Sequence, residues 1–299
     1  MEAAAPAEGK RVNVDTAAKL RTLLANDELL LCPLVGDPLS ARLAQRSGVP
    51  LALLGGFAVS AHRYALPDAG LITFTDVLDQ IRNTCDATPG FPIVADADTG
   101  YGNAMNVRRT VTEFARAGAA ALLLEDQVWP KKCGHYGGAR EVIPRAEARM
   151  KMRAAVDARA AKDIVLIGRT DARSGHGIEE ALARCRDFEE EGADILFIEA
   201  LASVEEMRLF ASSFKIPTWA SMMPKTPVVS RTDLRAMGFK VVTYNVVLPA
   251  AVYAMQAALQ ALIADDIASG PPLVAFDDLT NLVGLADHVA VEGRYRTSE

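Results

Sequence analysis

Acidic side chains follow several of the short apolar runs in this 299-residue sequence. In the segment VADADTG, at 94–100, an apolar run leads into Asp96 and Asp98. Further carboxylates follow later apolar runs: Glu125, Asp126, Asp171 and Glu199. Carboxylates gathered in one concave site raise each other's pKa unless a cation neutralises them, and an all-oxygen set suits a hard divalent ion. The cluster therefore predicts a site for Mg²⁺ or Mn²⁺, although one such carboxylate alone is more simply a helix N-cap.

A cysteine lies in a segment rich in lysine and glycine, WPKKCGHYGG at 129–138. Positive charge from Lys131, Lys132 and His135 is expected to lower the pKa of Cys133, and the glycines allow the segment to close over a substrate. The alternative is an exposed basic loop with an incidental cysteine. We take Cys133 as a candidate acid/base, with Lys132 and His135 beside it. The other cysteines lie in apolar or helical stretches, where cysteine acts as a small hydrophobe: Cys32, Cys85 and Cys185.

Eight short apolar runs must position these side chains. They are predicted strands at 29–33, 51–54, 92–96, 120–125, 164–168, 195–199, 218–221 and 241–244. Amphipathic segments between them, such as 104–117, 145–161, 178–191 and 204–213, predict helices. Eight repeated βα units predict a (β/α)8 TIM barrel, in which the carboxyl ends of the strands converge on one mouth. An open doubly wound sheet is the competing layout, but no GxGxxG follows the first strand.

The chain is expected to have three parts: a mobile leader at 1–16, the catalytic barrel at 17–268 and a helical extension at 269–299. A Gly-Pro-Pro break at 270–272 sets off the extension, and helical periodicity runs from 276 to 295 with no strand to follow. These helices must pack either on this barrel or on a partner subunit.

Composition limits the classes of partner. Half of the residues are apolar, enough for a large core, and the net charge of −6 is scattered. The absence of a basic stripe argues against nucleic acid, and no apolar run approaches the roughly 20 residues of a membrane helix. The start lacks a signal-peptide core. We expect a cytoplasmic enzyme that acts on a small molecule.

An ordered set of motifs resembles the isocitrate lyase and phosphoenolpyruvate mutase superfamily. They are LPD at 66–68, DADTGYGN at 96–103, EDQ at 125–127, KKCGH at 131–135 and RTD at 169–171. The resemblance extends from about residue 17 to 295, and the KKCGH loop is similar to that of the lyase branch, which includes methylisocitrate and dimethylmalate lyases. Asp96 and Asp98 then correspond to carboxylates around Mg²⁺, with Asp68 and Glu125 acting through water.

The resemblance also implies roles for the other candidates. Arg169 corresponds to the residue that binds the substrate's carboxylate or oxyanion, where a planar double donor is better than lysine. Cys133 corresponds to the acid that protonates the carbanion-like product, and Glu199 and His135 to supporting substrate contacts. Family members form homotetramers that exchange their last helices between subunits. The ligand implied is a small carboxylic acid.

Two departures from the family alter the predicted pocket. After the second strand the family has a Ser-Gly pair that holds the carboxylate of the 2-oxo acid, whereas this chain has Gly55, Gly56 and Phe57. We expect the amides of Gly55 and Gly56 to replace the hydroxyl. After the seventh strand Ser221 stands where the family has asparagine. The predicted substrate contacts are therefore Gly55, Gly56, Phe57, Asp96, Arg169, Glu199 and Ser221.

Three functional hypotheses follow. The first is a carbon–carbon lyase that splits a 2-hydroxy (or 2-methyl-2-hydroxy) di- or tricarboxylate into pyruvate or glyoxylate and a second carboxylate. The second is a hydrolase or decarboxylase of oxaloacetate-like acids, which needs the same metal and arginine. The third is a non-catalytic barrel, supported only by the replacements at Gly55 and Ser221.

Overall fold

A closed barrel of eight parallel strands is the core of the structure, a computed structural model that describes residues 15–133, 138, 140–159 and 163–296. Each strand pairs in parallel with the next in sequence, and β8 pairs with β1. The strands are β1 (Leu30–Val35), β2 (Ala52–Leu54), β3 (Ile93–Asp96), β4 (Ala121–Glu125), β5 (Val165–Thr170), β6 (Ile195–Ile198), β7 (Thr218–Met222) and β8 (Val241–Tyr244). The predicted (β/α)8 barrel is confirmed, and the open doubly wound alternative is wrong.

One helix precedes β1, and at least one helix follows each strand of the barrel. They are α1 (Thr16–Ala25), α2 (Pro38–Arg46), α3 (Gly56–Tyr64), α4 (Phe74–Ala87), α5 (Ala104–Arg116), α6 (Arg145–Arg159), α7 (Arg173–Glu191), α8 (Val204–Ser212), α9 (Arg231–Met237), α10 (Val247–Ile263), α11 (Phe276–Leu282) and α12 (Leu285–Glu292), with short 3-10 helices at Ile267–Ser269 and Gly293–Tyr295. Several begin at a side chain that caps the first backbone amides: Asp15, Asp37, Thr73, Asn103, Ser203 and Ser230.

The strands are apolar on both faces because each separates two regions of the core. Side chains alternate along a strand, so Leu34 and Leu53 point into the barrel, whereas the next residues, Val35 and Leu54, pack against the outer helices. The inner cluster also contains the stacked rings of Phe197 and Trp219. This alternation determines which residues can line the barrel mouth.

The strand pairing places charged residues side by side. β5 extends two residues beyond its predicted end, to Thr170, so Arg169 lies within the strand rather than after it. In the register of β4 and β5, Glu125 is opposite Arg169. A buried glutamate and a buried arginine are therefore neighbours on adjacent strands.

The chain forms two compact units, Met1–Val246 and Val247–Glu299. The division falls before α10, whereas we expected the extension to start at 269. The second unit contains α10, α11 and α12, and the helical stretch predicted at 276–295 is interrupted at Gly284, where φ is 86°. Most of the expected leader lies outside the described residues, and α1 begins at Thr16. Within the described ranges, no helix is both long and apolar enough to cross a bilayer.

Candidate active site

A cavity opens at the carboxyl ends of the barrel strands, and the empty space within it and at its solvent-filled mouth is about 560 Å³. It is lined by Leu34, Leu53, Gly55, Phe57, Asp68, Asp96, Lys131, Lys132, Cys133, Arg169, Phe197, Glu199, Ser221, Met223 and Thr243. The structure thus brings most of the predicted site residues to one place. Asp98, Glu125 and Gly56 lie beside this cavity rather than in its wall, and His135 lies outside the described residues.

Asp96, at the end of β3, is held by two backbone amides. Its Oδ2 accepts a hydrogen bond from the amide of Gly56 at 2.9 Å, and its Oδ1 accepts one from the amide of Asp98 at 3.0 Å. The second bond depends on a sharp turn, in which Asp98 has a φ of 46° and Gly100 a φ of 84°. A Cβ at Gly100 would also lie 2.5 Å from Val107 Cγ2. The DADTG segment therefore fixes the Asp96 carboxylate in position.

Lys131 is a site residue that the sequence analysis missed. Its Nζ lies 2.6 Å from Asp68 Oδ1 and 2.8 Å from Asp98 Oδ1, and its side chain is only 4% exposed. Burial lowers the pKa of Lys131, but the charges of Asp98 and Asp68 outweigh that effect and hold the pKa well above its ordinary value. We expected this lysine to act on the thiol of Cys133. Its ammonium instead neutralises part of the acidic cluster.

The acidic cluster fits a divalent cation by its chemistry. Burial raises the pKa of Asp98 to about 6, although Lys131 opposes the shift, and burial raises the pKa of Glu125 well above its usual range, although Arg169 opposes it. Asp98 Oδ2 is buried and accepts no hydrogen bond from any residue that the structure describes. A Cβ at Gly56 would lie 3.0 Å from Asp98 Oδ1, so glycine keeps the space open. A bound cation would favour the charged forms of both carboxylates and so oppose the effect of burial on their pKa values.

The same side chains do not form a complete ligand shell by themselves. Within the described residues, no group of three or more histidine, cysteine or acidic side chains is arranged to hold a metal ion directly. Lys131 Nζ lies between Asp68 and Asp98, two of the predicted ligands. The carboxylate donors still suit Mg²⁺, because this ion commonly binds one or two carboxylates directly and keeps several of its waters.

Arg169 lies among three buried carboxylates. Its guanidinium makes a bidentate contact with Asp171, at 2.8 and 2.9 Å, and its Nη2 is 3.3 Å from both Glu125 and Glu199. Burial lowers the pKa of Arg169, but these carboxylates outweigh it and hold the pKa well above its ordinary value. The guanidinium also lies over the ring of Phe197. A fixed positive charge is therefore directed at the cavity.

The segment that carries Cys133 is tied to the acidic cluster through its backbone. The amide of Cys133 donates to the carbonyl of Asp68 at 3.1 Å, and the amide of Lys132 donates to Gln127 Oε1 at 3.0 Å. Gln127 in turn donates to Glu125 Oε1 at 3.0 Å. Cys133, which is half-buried, and Lys132 are therefore held at the cavity by the same residues that surround the predicted metal site.

Apolar side chains form one wall of the cavity: Leu34, Leu53, Gly55 and Phe57. Gly55 has φ −92° and ψ 142°, a conformation that any residue can adopt. A Cβ at Gly55 would nevertheless lie 2.3 Å from Leu34 Cδ1. Leu34 thus occupies the space of a side chain at position 55. Leu34 and Leu53 were not among the predicted site residues, although the alternation of side chains along a strand could have indicated them.

The amides that we expected to hold a substrate carboxylate already have acceptors. The amide of Gly55 donates to the carbonyl of Val35 at 3.3 Å, and that of Gly56 donates to Asp96 Oδ2. Each N–H group has one hydrogen to donate. The expected replacement of the family's serine by these two amides therefore disagrees with the hydrogen bonding in the structure.

Ser221 lies near the end of β7 and contributes a polar side chain to the cavity wall. Ser221 is opposite Thr243 in the register of β7 and β8, and Met223 adjoins them in the cavity wall. The indole N–H of Trp219 donates to Thr243 Oγ1 at 2.9 Å. The serine predicted as a substrate contact is thus accompanied by a threonine that the sequence did not indicate.

Asp126 does not join the acidic cluster. Its carboxylate accepts hydrogen bonds from the hydroxyl of Thr170 at 2.7 Å and the amide of Asp171 at 2.9 Å, and it pairs with Arg184 at 3.1 Å. We expected it to face the same space as Glu125. It instead supports the end of β5, because its side chain points to the opposite side of β4.

The other cysteines are unsuited to proton transfer near neutral pH. Burial raises the pKa of Cys32 and Cys185 well above its ordinary value, and it raises that of Cys85 to about 12. None of the three lines the cavity. This agrees with their predicted role as small apolar residues.

A family model described as phosphoenolpyruvate phosphomutase matches residues 20–263. The chain belongs to this family. Among curated relatives it is 39% identical over 289 residues to the 2,3-dimethylmalate lyase of Eubacterium barkeri, covering 95% of this chain and 99% of the lyase.

Solved structures of the phosphomutase superfamily have the same fold. A structure of oxaloacetate acetylhydrolase in complex with 3,3-difluorooxalacetate has a TM-score of 0.89 at 32% identity and covers 96% of this chain and 99% of its own. A phosphonopyruvate hydrolase complex with oxalate and Mg²⁺ has a TM-score of 0.84 at 31% identity, with coverages of 94% and 99%. A crystal structure of 2,3-dimethylmalate lyase also matches, with a TM-score of 0.88 at 33% identity and coverages of 93% and 95%, so lyase and hydrolase relatives share one scaffold.

Proposed function

We propose that this phosphomutase family member is a magnesium-dependent carbon–carbon lyase. Its substrate is a 2-hydroxy (or 2-methyl-2-hydroxy) di- or tricarboxylate, and its products are a 2-oxo acid, pyruvate or glyoxylate, and a second carboxylate. The observation that carries the proposal is that one cavity is lined by Cys133, Arg169 and the carboxylates of Asp68 and Asp96. Similarity to a 2,3-dimethylmalate lyase over nearly the whole chain supports the same reaction class.

Asp96 and Asp98 are the residues that would hold Mg²⁺ directly, and Asp68 and Glu125 would act through water. When bound, the ion supplies positive charge that stabilises the oxyanion of the 2-oxo acid fragment. The oxalate and Mg²⁺ complex of the related hydrolase supports magnesium, and Mn²⁺ suits the same donors.

The chain's own side chains account for the rest of the reaction. Arg169 binds a carboxylate or the developing oxyanion with guanidinium N–H groups that its bidentate pair with Asp171 does not use. The 2-hydroxyl gives up its proton to a carboxylate that lines the cavity as the C2–C3 bond breaks, and the bonding electrons pass to C3. Cys133 then donates its thiol proton to C3. Lys132 and His135 assist this step, and Glu199 and Ser221 make supporting contacts.

Hydrolysis of oxaloacetate-like acids is the second candidate, favoured by the similarity to oxaloacetate acetylhydrolase. That reaction yields oxalate and acetate from oxaloacetate, whereas the lyase releases a 2-oxo acid from a 2-hydroxy acid. Quantifying both product pairs under the same conditions separates the two. Faster release of oxalate than of any 2-oxo acid would make the hydrolase the correct assignment.

The Cys133→Ser variant tests the proton donor. General acid catalysis contributes about 100-fold or more, so 2-oxo acid release should fall by at least that factor. Cys85→Ser is the matched control, because Cys85 lies on α4 and does not line the cavity. Full lyase activity in Cys133→Ser would remove the thiol from the mechanism.

We also propose a ligand class, a cellular location and an oligomeric state for this enzyme. The partner is a small carboxylic acid, the enzyme is a cytoplasmic homotetramer, and the extension at 269–299 is exchanged between subunits. Support comes from the second unit, whose helices expose many large apolar side chains, among them Tyr253, Ile263 and Phe276. Many exposed large apolar side chains on one group of helices are typical of an interface.

A further inference from the structure

Lys151, on α6, is a buried lysine that the proposed reaction does not use. It is only 6% exposed, and its ammonium donates to the carbonyl of Thr99 at 3.2 Å. Burial lowers the pKa of Lys151, and the charge of Glu147 offsets only part of that effect. Burial thus disfavours the charged form of this lysine, so packing alone does not explain its presence.

The carbonyl of Thr99 belongs to the DADTG turn that follows β3. The two carbonyls before it, those of Ala97 and Asp98, accept hydrogen bonds from backbone amides. The carbonyl after it, that of Gly100, accepts one from the hydroxyl of Thr110 on α5 at 3.3 Å. The lysine ammonium therefore supplies the donor for the remaining carbonyl of the turn.

The turn needs such support because its backbone is strained. Asp98 has a φ of 46° and Tyr101 a φ of 61°, left-handed values that are uncommon for residues other than glycine. Conformations of this kind persist only where the surrounding contacts determine them. The same turn allows the amide of Asp98 to donate to Asp96 Oδ1 at 3.0 Å. A different orientation of the Thr99 peptide would therefore displace both carboxylates.

We infer that Lys151 is a positioning residue, which holds the peptide of Thr99 in the orientation that places the carboxylates of Asp96 and Asp98 for a cation. Lys151 does not line the active-site cavity, so it acts through the turn and not on the substrate. The inference rests on the proposed magnesium-dependent function and adds a residue of α6 to its metal site.

Lys151→Met tests this role, because methionine has a similar length but leaves the Thr99 carbonyl without its donor. Isothermal titration of metal-stripped protein with Mg²⁺ should give a Kd about tenfold higher than in the wild type, since residues behind metal ligands orient them. Lys151→Arg, which keeps a charged donor, should recover most of that loss.

Lys240→Met is the matched control. Burial also lowers the pKa of Lys240, and its ammonium donates to the carbonyl of Glu28 at 2.8 Å, at the amino ends of β1 and β8. This variant should bind Mg²⁺ as the wild type does, even if its melting temperature falls. An equal loss of affinity in Lys240→Met and Lys151→Met would overturn the inference, because lower stability would then account for both.

Amide hydrogen exchange in the metal-free proteins measures the turn itself. The amides of Asp98 and Gly100 should exchange faster in Lys151→Met than in the wild type or in Lys240→Met. If Lys151→Met does not fold, Lys151→Gln takes its place, since its side chain is one bond shorter than lysine.

These measurements separate the inference from the proposed function. If the wild type binds Mg²⁺ and the Lys151 variant binds it equally well, the inference is overturned and the lyase function stands. If the wild type binds no Mg²⁺, the metal-dependent function fails and hydrogen exchange decides the inference. Faster exchange in the variant then supports a positioning role in the turn, and unchanged exchange overturns it.

Discussion

Arg169 shows how one side chain can both stabilise the barrel and serve the site. It contacts Asp171, Glu125 and Glu199, which come from three adjacent strands or strand ends, and its charge favours their ionised forms. Buried carboxylates without a counter-ion would be costly, so the arginine is required for packing as well as for substrate binding. Its fixed position is what makes it a suitable anion receptor.

Arg169→Lys should lower kcat/KM by about 100-fold, because a lysine retains the charge but loses the bidentate geometry. Arg173→Lys is the control, since Arg173 makes a similar bidentate pair with Glu206 at 2.9 Å but does not line the cavity. Steady-state kinetics and circular dichroism of both variants make the comparison. Equal losses in the two variants would point to a structural effect alone.

The sequence predicts the acidic residues of the site but not the lysine that pairs with them. Asp96 and Arg169 are identifiable because polar residues that follow apolar strands must meet at the barrel mouth. Lys131 is not, since its contacts with Asp68 and Asp98 join positions far apart in the chain. A lysine beside glycines and a cysteine has the composition of an exposed loop, and only the tertiary structure reveals its burial.

The junction between β2 and α3 brings backbone close to the acidic cluster. Gly56, the first residue of α3, donates its amide to Asp96, and an added Cβ would lie 3.4 Å from Asp96 Oδ2 and 3.0 Å from Asp98 Oδ1. The start of α3 thus holds the carboxylate of Asp96, and it limits the space beside both Asp96 and Asp98. Its glycine is required by close approach rather than by an unusual φ.

Gly56→Ala should weaken Mg²⁺ binding by about tenfold, because outer contacts of this kind orient the ligands of a metal. The control is Gly293→Ala, where an added Cβ meets nothing within 4 Å and φ is −57°. Isothermal titration of both variants measures the dissociation constant directly. The same affinity in wild type and Gly56→Ala would show that this backbone does not limit the site.

Strands were predicted more closely than helix ends. The apolar runs of β4 and β8 are buried on both faces, so composition alone marks them. The end of β5 was placed too early because Arg169 and Thr170 are polar, yet they continue the ladder toward β6. The break at Gly284 depends on a left-handed φ, which the hydrophobic periodicity of the sequence does not indicate.

Exposed apolar side chains are unevenly distributed between the two units of the described chain. Exposed large apolar residues are concentrated in the second unit, where Phe276 is 77% exposed, whereas the first unit buries most of its apolar residues in the barrel and beneath its helices. A monomer rarely leaves such a surface in water. The proposed subunit exchange would cover it.

Phe276→Glu should shift the assembly toward smaller species, because it places a charge in the proposed interface. Val228→Glu is the control, since Val228 is 99% exposed in the loop before α9 and belongs to the first unit. Light scattering coupled to size-exclusion chromatography reports the mass of each variant. A wild-type monomer, or no difference between the variants, would contradict the proposed tetramer.

The central claim, a metal-dependent carbon–carbon lyase, is tested most directly by measuring 2-oxo acid release from 2-hydroxy and 2-methyl-2-hydroxy di- and tricarboxylates by protein stripped of metal with a chelator. Addition of Mg²⁺ should restore release of pyruvate or glyoxylate in equal amount to the second carboxylate, and Mn²⁺ should replace it. Release at the same rate without metal, or no 2-oxo acid from any of these acids with Mg²⁺ present, would contradict the account.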